Sequence, residues 1–126
     1  MNLVLLFLLC RWRVKERLDG LEIEEIRSRE ELERAKMRGL TLVDFDAPWC
    51  VPCRLQKPIL RQLAAQFQRR AFIAVMNIDE NRDLASTLGI QGIPTLILFR
   101  NGKEIQRFVG LQSESTLSEA VKKLLK

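Results

Sequence analysis

Two cysteines stand three positions apart, in the run Cys50-Val51-Pro52-Cys53, and they are the residues of this chain best suited to chemistry. A cysteine attacks a disulfide only as its thiolate, so a working site has to lower the thiol pKa. The apolar run ending at Phe45 reads as a strand and the periodic stretch after Cys53 as a helix, which places Cys50 where strand gives way to helix. The unpaired N–H groups of a first helical turn, together with the helix dipole, favour a negative sulfur there. Cys53 falls one turn deeper on the same face, within reach of Cys50. The spacing therefore suggests an exposed attacking sulfur and a sheltered resolving one. Pro52 removes a backbone donor between them and stiffens the turn.

Half of a zinc site has the same spacing. Here the chain holds 3 cysteines and no His, so only Cys10 is left over to extend such a site. Without His, Ser/His and Cys/His catalysis are excluded as well. A purely structural disulfide closing so short a loop stabilises little by chain entropy. Thiol–disulfide exchange is the favoured reading, and it calls for no metal and no cofactor.

The chain has 126 residues, 47% hydrophobic and 29% charged, which is the composition of one globular domain with a real core. Its net charge of +5 is modest, and no dense Lys/Arg run with interleaved aromatics points to nucleic acid. Residues 1–20 stand apart from the rest. Leu3 to Cys10 is an unbroken apolar run, followed by Arg11, Trp12, Arg13, Lys15 and Arg17. The run is under half the ~20 residues a membrane-spanning helix needs, and it lacks the n-region and cleavage site of a secretory signal. Three readings stay open: an extra packed element, a weak interfacial membrane anchor, or sequence from a misplaced start. Cys10 itself reads as a small buried hydrophobe.

From about residue 21 the pattern becomes regular. Leu21, Ile23 and Ile26 suggest a short edge strand, and Ser28 with Glu31 a capping box opening a helix that ends by Gly39. Leu40 to Phe45 reads as a buried strand interrupted by Asp44. Burying a carboxylate there is costly, so Asp44 is expected to be protonated or hydrogen-bonded, with a raised pKa. Leu55, Ile59, Leu60, Leu63, Ala64 and Phe67 recur at helical spacing around Pro58, a candidate kink. Ala71 to Ile78 reads as a strand and Asn81 to Leu88 as a short helix. Thr95 to Phe99, Asn101-Gly102 and Lys103 to Val109 form a hairpin, and Leu117 to Leu125 a closing amphipathic helix. The order β-α-β-α-β-α-β-β-α implies an α/β fold: a mixed central sheet, parallel first and antiparallel at the end, with helices on both faces.

The stretch Val43-Asp44-Phe45-Asp46-Ala47-Pro48-Trp49-Cys50-Val51-Pro52-Cys53, followed by Pro58, resembles the active-site segment of the thioredoxin family. So do Asn77-Ile78-Asp79, the run Gly89-Ile90-Gln91-Gly92-Ile93-Pro94-Thr95, and Asn101-Gly102. The resemblance covers residues 21–126, expected to form a thioredoxin domain behind the 1–20 extension. It implies that Cys50 is the nucleophile that forms a mixed disulfide with a substrate protein, and that Cys53 displaces the product. It makes Asp44 the acceptor of the resolving thiol's proton. Trp49, Pro52, Ile93, Pro94 and Gly110 become the substrate-binding rim, with Pro94 a cis-proline whose flanking backbone pairs with substrate, and Gly92 and Gly110 keeping the groove open.

Three positions depart from the family pattern. Val75 stands where a Lys commonly neighbours the buried Asp, which should raise the Asp44 pKa further. Asp46 stands where an aromatic residue is frequent, and its charge would oppose thiolate formation. Val51 replaces a Gly in the dipeptide that helps set the redox potential. The implied activity is that of a protein-disulfide reductase: a monomeric cytoplasmic protein acting on protein disulfides and recharged by a thioredoxin reductase or equivalent donor. The alternatives are a membrane-tethered relative working outside the cytoplasm and a non-catalytic binding module of the same fold.

Overall fold

The computed structural model describes residues 2–8 and 23–126. Its organising element is strand β2 (Leu40–Asp46), buried at all 7 positions. Side chains alternate across a strand, and β2 uses both faces. Leu40 and Leu42 join one core with Leu60, Leu63, Leu117 and Val121, whereas Val43 and Phe45 join another with Leu32 and Leu84. Asp44 and Asp46, by the same alternation, share the face of Leu40 and Leu42.

Around β2 lie β3 (Phe72–Asn77) and β4 (Thr95–Arg100), with β1 (Glu24–Ile26) and β5 (Lys103–Val109) at the edges, giving the order β1-β3-β2-β4-β5. β1 and β2 pair with β3 in parallel, while β4 runs antiparallel to both β2 and β5. Helices α2 (Arg29–Lys36) and α4 (Arg82–Thr87) cover one face; α3 (Val51–Gln66) and α5 (Glu114–Leu125) cover the other. This is the mixed, doubly covered sheet expected from the element order.

Local chemistry sets the boundaries. Ser28 Oγ accepts a hydrogen bond from Glu31 N (3.1 Å), and the Glu31 carboxylate accepts one in return from Arg27 N (2.8 Å), one residue before the usual capping-box partner. In the β4–β5 hairpin Asn101 (φ 49°) and Gly102 (φ 90°) both take the left-handed conformation, as a tight two-residue turn demands.

One expectation changes. Leu55 does not join the buried stripe of α3: it is 57% exposed, and the inward positions are Cys53, Gln56, Leu60 and Leu63. These inward positions keep helical spacing, and the polar Gln56 takes the place on the stripe that the apolar Leu55 beside it suggested for itself. Pro58 lies inside α3, which runs through it without interruption.

At the N-terminus, residues 3–8 form the short helix α1, with Leu3, Val4, Leu5, Leu6, Phe7 and Leu8 exposed rather than packed into either core. Cys10, the basic run through Arg17 and Leu21 lie outside the described residues. Among the described residues no helix is long and apolar enough to cross a membrane.

Candidate active site

Cys50 is the N-cap of α3, in extended conformation (φ −87°, ψ 115°), and its Sγ accepts a hydrogen bond from Cys53 N at 3.3 Å. A cap residue normally offers oxygen to those orphan N–H groups; here sulfur takes that place, and the same donor would stabilise a thiolate. Pro52 in the first turn lacks an N–H. The two cysteines are joined as a disulfide with Cα atoms 5.3 Å apart. Their exposure differs less than the spacing suggests: Cys50 is 5% exposed and Cys53 1%. The attacking sulfur is recessed, and the shelter of the resolving one is nearly complete.

Against the sulfurs lies the loop before β4. The Ile93–Pro94 peptide is cis, as the resemblance implied, and the Ile93 carbonyl oxygen sits 3.8 Å from Cys50 Sγ. Gly110 N donates to the Pro94 carbonyl (2.8 Å), fastening the end of β5 to this loop. Gly110 has φ +91° with open space where a side chain would project, so both its turn conformation and the open groove call for glycine. Gly92 works differently. A Cβ there would come within 3.3 Å of the Val109 side chain, so its smallness serves close packing.

Trp49, 65% exposed, donates from Nε1 to Asp79 (2.9 Å), which holds the indole beside the cysteine turn. Trp49, Val51 and Leu55 on the cysteine side, and Val109 and Leu111 on the side of Gly110, are exposed apolar residues that would make up the rim. The two sides of that rim are tied by Gln56. Fully buried, it donates to the Gln112 carbonyl (3.0 Å) and accepts from Gln112 N (2.8 Å). Gln56 was missed by sequence reading. Its place three residues after Cys53, on the inward face, was the available signal.

Asp44 lies opposite Val75 on β3 and Leu96 on β4, with 0% exposure and neither carboxylate oxygen hydrogen-bonded. Its pKa is pushed up to about 8, first by burial and then by the Asp46 charge, with Lys57 pulling the other way. The raised value expected for Asp44 is thus found, but the cation missing at Val75 is supplied from α3. Lys57 Nζ lies 3.7 Å from the Asp46 carboxylate. Burial also raises the Asp46 pKa, while Lys57 lowers it. The unfavourable Asp46 charge is therefore partly neutralised.

The family profile described as Thioredoxin matches residues 25–123. A thioredoxin of Chlamydia pneumoniae is 44% identical over 99 residues, spanning 79% of this chain and 96% of that protein. A thioredoxin of Staphylococcus aureus is 40% identical over 87 residues, 69% of this chain and 84% of that protein. Among solved structures, a mutant thioredoxin from Halobacterium salinarum NRC-1 superposes with a TM-score of 0.78 at 34% identity, covering 85% of this chain and 94% of that one. Profile, relatives, fold and cysteine geometry agree: the chain belongs to the thioredoxin family and is a thiol–disulfide oxidoreductase.

Proposed function

We propose that the protein is a general protein-disulfide reductase in which Cys50 attacks, Cys53 resolves and Asp44 takes the resolving thiol's proton. The observation that carries this reading is the hydrogen bond from Cys53 N to Cys50 Sγ at the mouth of α3. A developing thiolate on Cys50 meets a helix N-terminus and an oriented donor, whereas Cys53 lies deeper in the fold. A substrate disulfide laid across the apolar rim at Trp49 and Val109 would expose one sulfur to Cys50. Its backbone would run past the Ile93–Pro94–Thr95 segment in the manner of an added strand. Pro52 and Gly110 leave room for that approach.

The test is alkylation of the reduced protein with iodoacetamide across pH 5 to 9. Cys50 should react at pH 7 about ten times faster than free cysteine, and Cys53 should stay protected until Cys50 is blocked. Reactivity of Cys50 no greater than that of free cysteine would remove the basis of the mechanism.

The same reading takes a thioredoxin reductase as electron donor and places a monomer in the cytoplasm. A second reading of location rests on the exposed apolar residues of α1: a membrane-tethered protein doing the same chemistry. Cell fractionation separates them. Recovery in the soluble fraction supports the first, and a membrane pellet that yields only to detergent supports the second.

A further inference from the structure

Behind the cysteine turn, between β1, β3 and α3, lies an open groove of about 770 Å³ lined by Glu25, Asp46, Lys57, Arg61, Val75 and Asn77. Its polar residues are not accounted for by attack or substrate contact. Asp46 is two residues from Asp44 on β2, so both carboxyls point from the same face of the sheet. Lys57 is four residues from Cys53 on α3, one turn further along the helix surface that covers that face. The Lys57–Asp46 contact of 3.7 Å closes this arrangement at the groove, with Lys57 half exposed and Asp46 nearly buried.

We propose that Lys57 and Asp46 are positioning residues of the exchange reaction: an ion pair at the groove that fixes the charge over the Asp44 carboxyl and passes its proton to water. This rests on Asp44 acting as the proton acceptor for Cys53. In the resolving step the Cys53 thiol gives its proton to the Asp44 carboxylate, and the Cys53 sulfur attacks Cys50 in the mixed disulfide. The Cys50–Cys53 bond forms, the Cys50–substrate bond breaks, and the electron pair leaves with the substrate sulfur. Asp44 then passes the proton by way of the Asp46 carboxylate, which lines the groove, to water there, and the substrate thiolate is protonated. The dithiol loses two electrons and the substrate disulfide gains two.

Among the described residues, no other element supplies the compensating charge. β3 and β4 present Val75 and Leu96 across the ladder from Asp44, and the buried residues of α5 are Leu117, Ser118 and Val121. α3 brings Cys53 and Lys57, with Arg61 farther along the groove, and β1 brings Glu25, which acts on Asp46. Lys57 and Asp46 act on Asp44 with opposite signs, so their removal should act with opposite signs too. A merely structural role predicts no such opposition.

The experiment uses the full chain carrying Lys57→Met, Asp46→Asn, Lys57→Arg, or the first two together. It reads the Asp44 carboxyl titration by carbon NMR in the oxidised protein and the pH profile of mixed-disulfide resolution by stopped flow. Lys57→Met should move both to higher pH and slow resolution at pH 7 by roughly three- to tenfold. Asp46→Asn should move both to lower pH, Lys57→Arg should keep the wild-type profile, and the double variant should return toward it. Shifts of the same sign, or no shift in either single variant, overturn the proposal. Asp44→Asn separates the two layers. Resolution at the wild-type rate at every pH would remove the role of Asp44 itself, and the ion pair's with it. Slowed resolution in Asp44→Asn, with unmoved profiles in the Lys57 and Asp46 variants, would remove only the ion pair's.

Discussion

Cys50→Ser is expected to reduce turnover of a test protein disulfide to the background of solution thiols, whereas Cys53→Ser should yield a protein that accumulates covalent complexes with its substrates. The asymmetry follows from position. Cys50 caps α3 and accepts from Cys53 N, so it is the sulfur whose anion the helix stabilises. A serine hydroxyl in that place stays protonated at neutral pH and has little nucleophilic strength. Cys53, 1% exposed, cannot meet a macromolecular disulfide directly. In the proposed mechanism it acts after Cys50 has brought the substrate sulfur in, and without it the mixed disulfide would have no internal route to release. Insulin reduction assayed with dithiothreitol measures the first effect, and non-reducing electrophoresis of Cys53→Ser incubated with a disulfide-bonded protein measures the second. Wild-type turnover by Cys50→Ser would contradict the assignment of roles.

The other large effect is on stability. Asp44→Ala should stabilise the protein at pH 7 by on the order of 4 kcal/mol, and the gain should depend on pH in a defined window. Asp44 in the folded chain has a pKa of about 8 against an ordinary value of 3.8. The folded state therefore holds this proton more tightly than the unfolded state. Below the ordinary value both states are protonated and the carboxyl carries no ionisation penalty. As pH rises toward 8 the unfolded chain ionises first, so folding loses stability with every unit; above about 8 the loss is complete. Urea unfolding between pH 3 and 9 should show the wild type weakening across that interval and Asp44→Ala lacking the slope. The advantage of the variant should shrink toward pH 4, where the small cavity left by the substitution is also felt. Parallel stability curves for the two proteins would refute the account. A residue this costly, with both oxygens unpartnered, is one the fold carries at the expense of strength, as the proposed proton acceptor would require.

Much of this was legible in the residues. Strands and helices announced themselves through period: Leu40 and Leu42 against Val43 and Phe45, or Leu60 and Leu63 along α3 with Phe67 at its cap. The caps and the Asn101-Gly102 turn depend on neighbours within four residues, and such local chemistry reads directly from sequence. Asp44 was legible as well, because a carboxylate in an apolar run is costly wherever the strand packs.

What escaped depends on partners far along the chain. Trp49 finds Asp79 thirty positions away, and Gln56 finds Gln112 at a separation of 56. Lys57 looks like an ordinary solvated helix residue until β2 brings Asp46 beneath it. Leu55 fits the helical stripe but projects where no other layer covers it. Cys50 was expected to stand exposed, yet the Ile93 carbonyl and its own helix turn close around it. In each case the missing information was the identity of the neighbouring element, which spacing cannot carry.

The paired bonds between Gln56 and the backbone of Gln112 have a mechanical corollary. They tie the start of α3 to the segment that follows β5, so a displacement of either stretch is carried to the other.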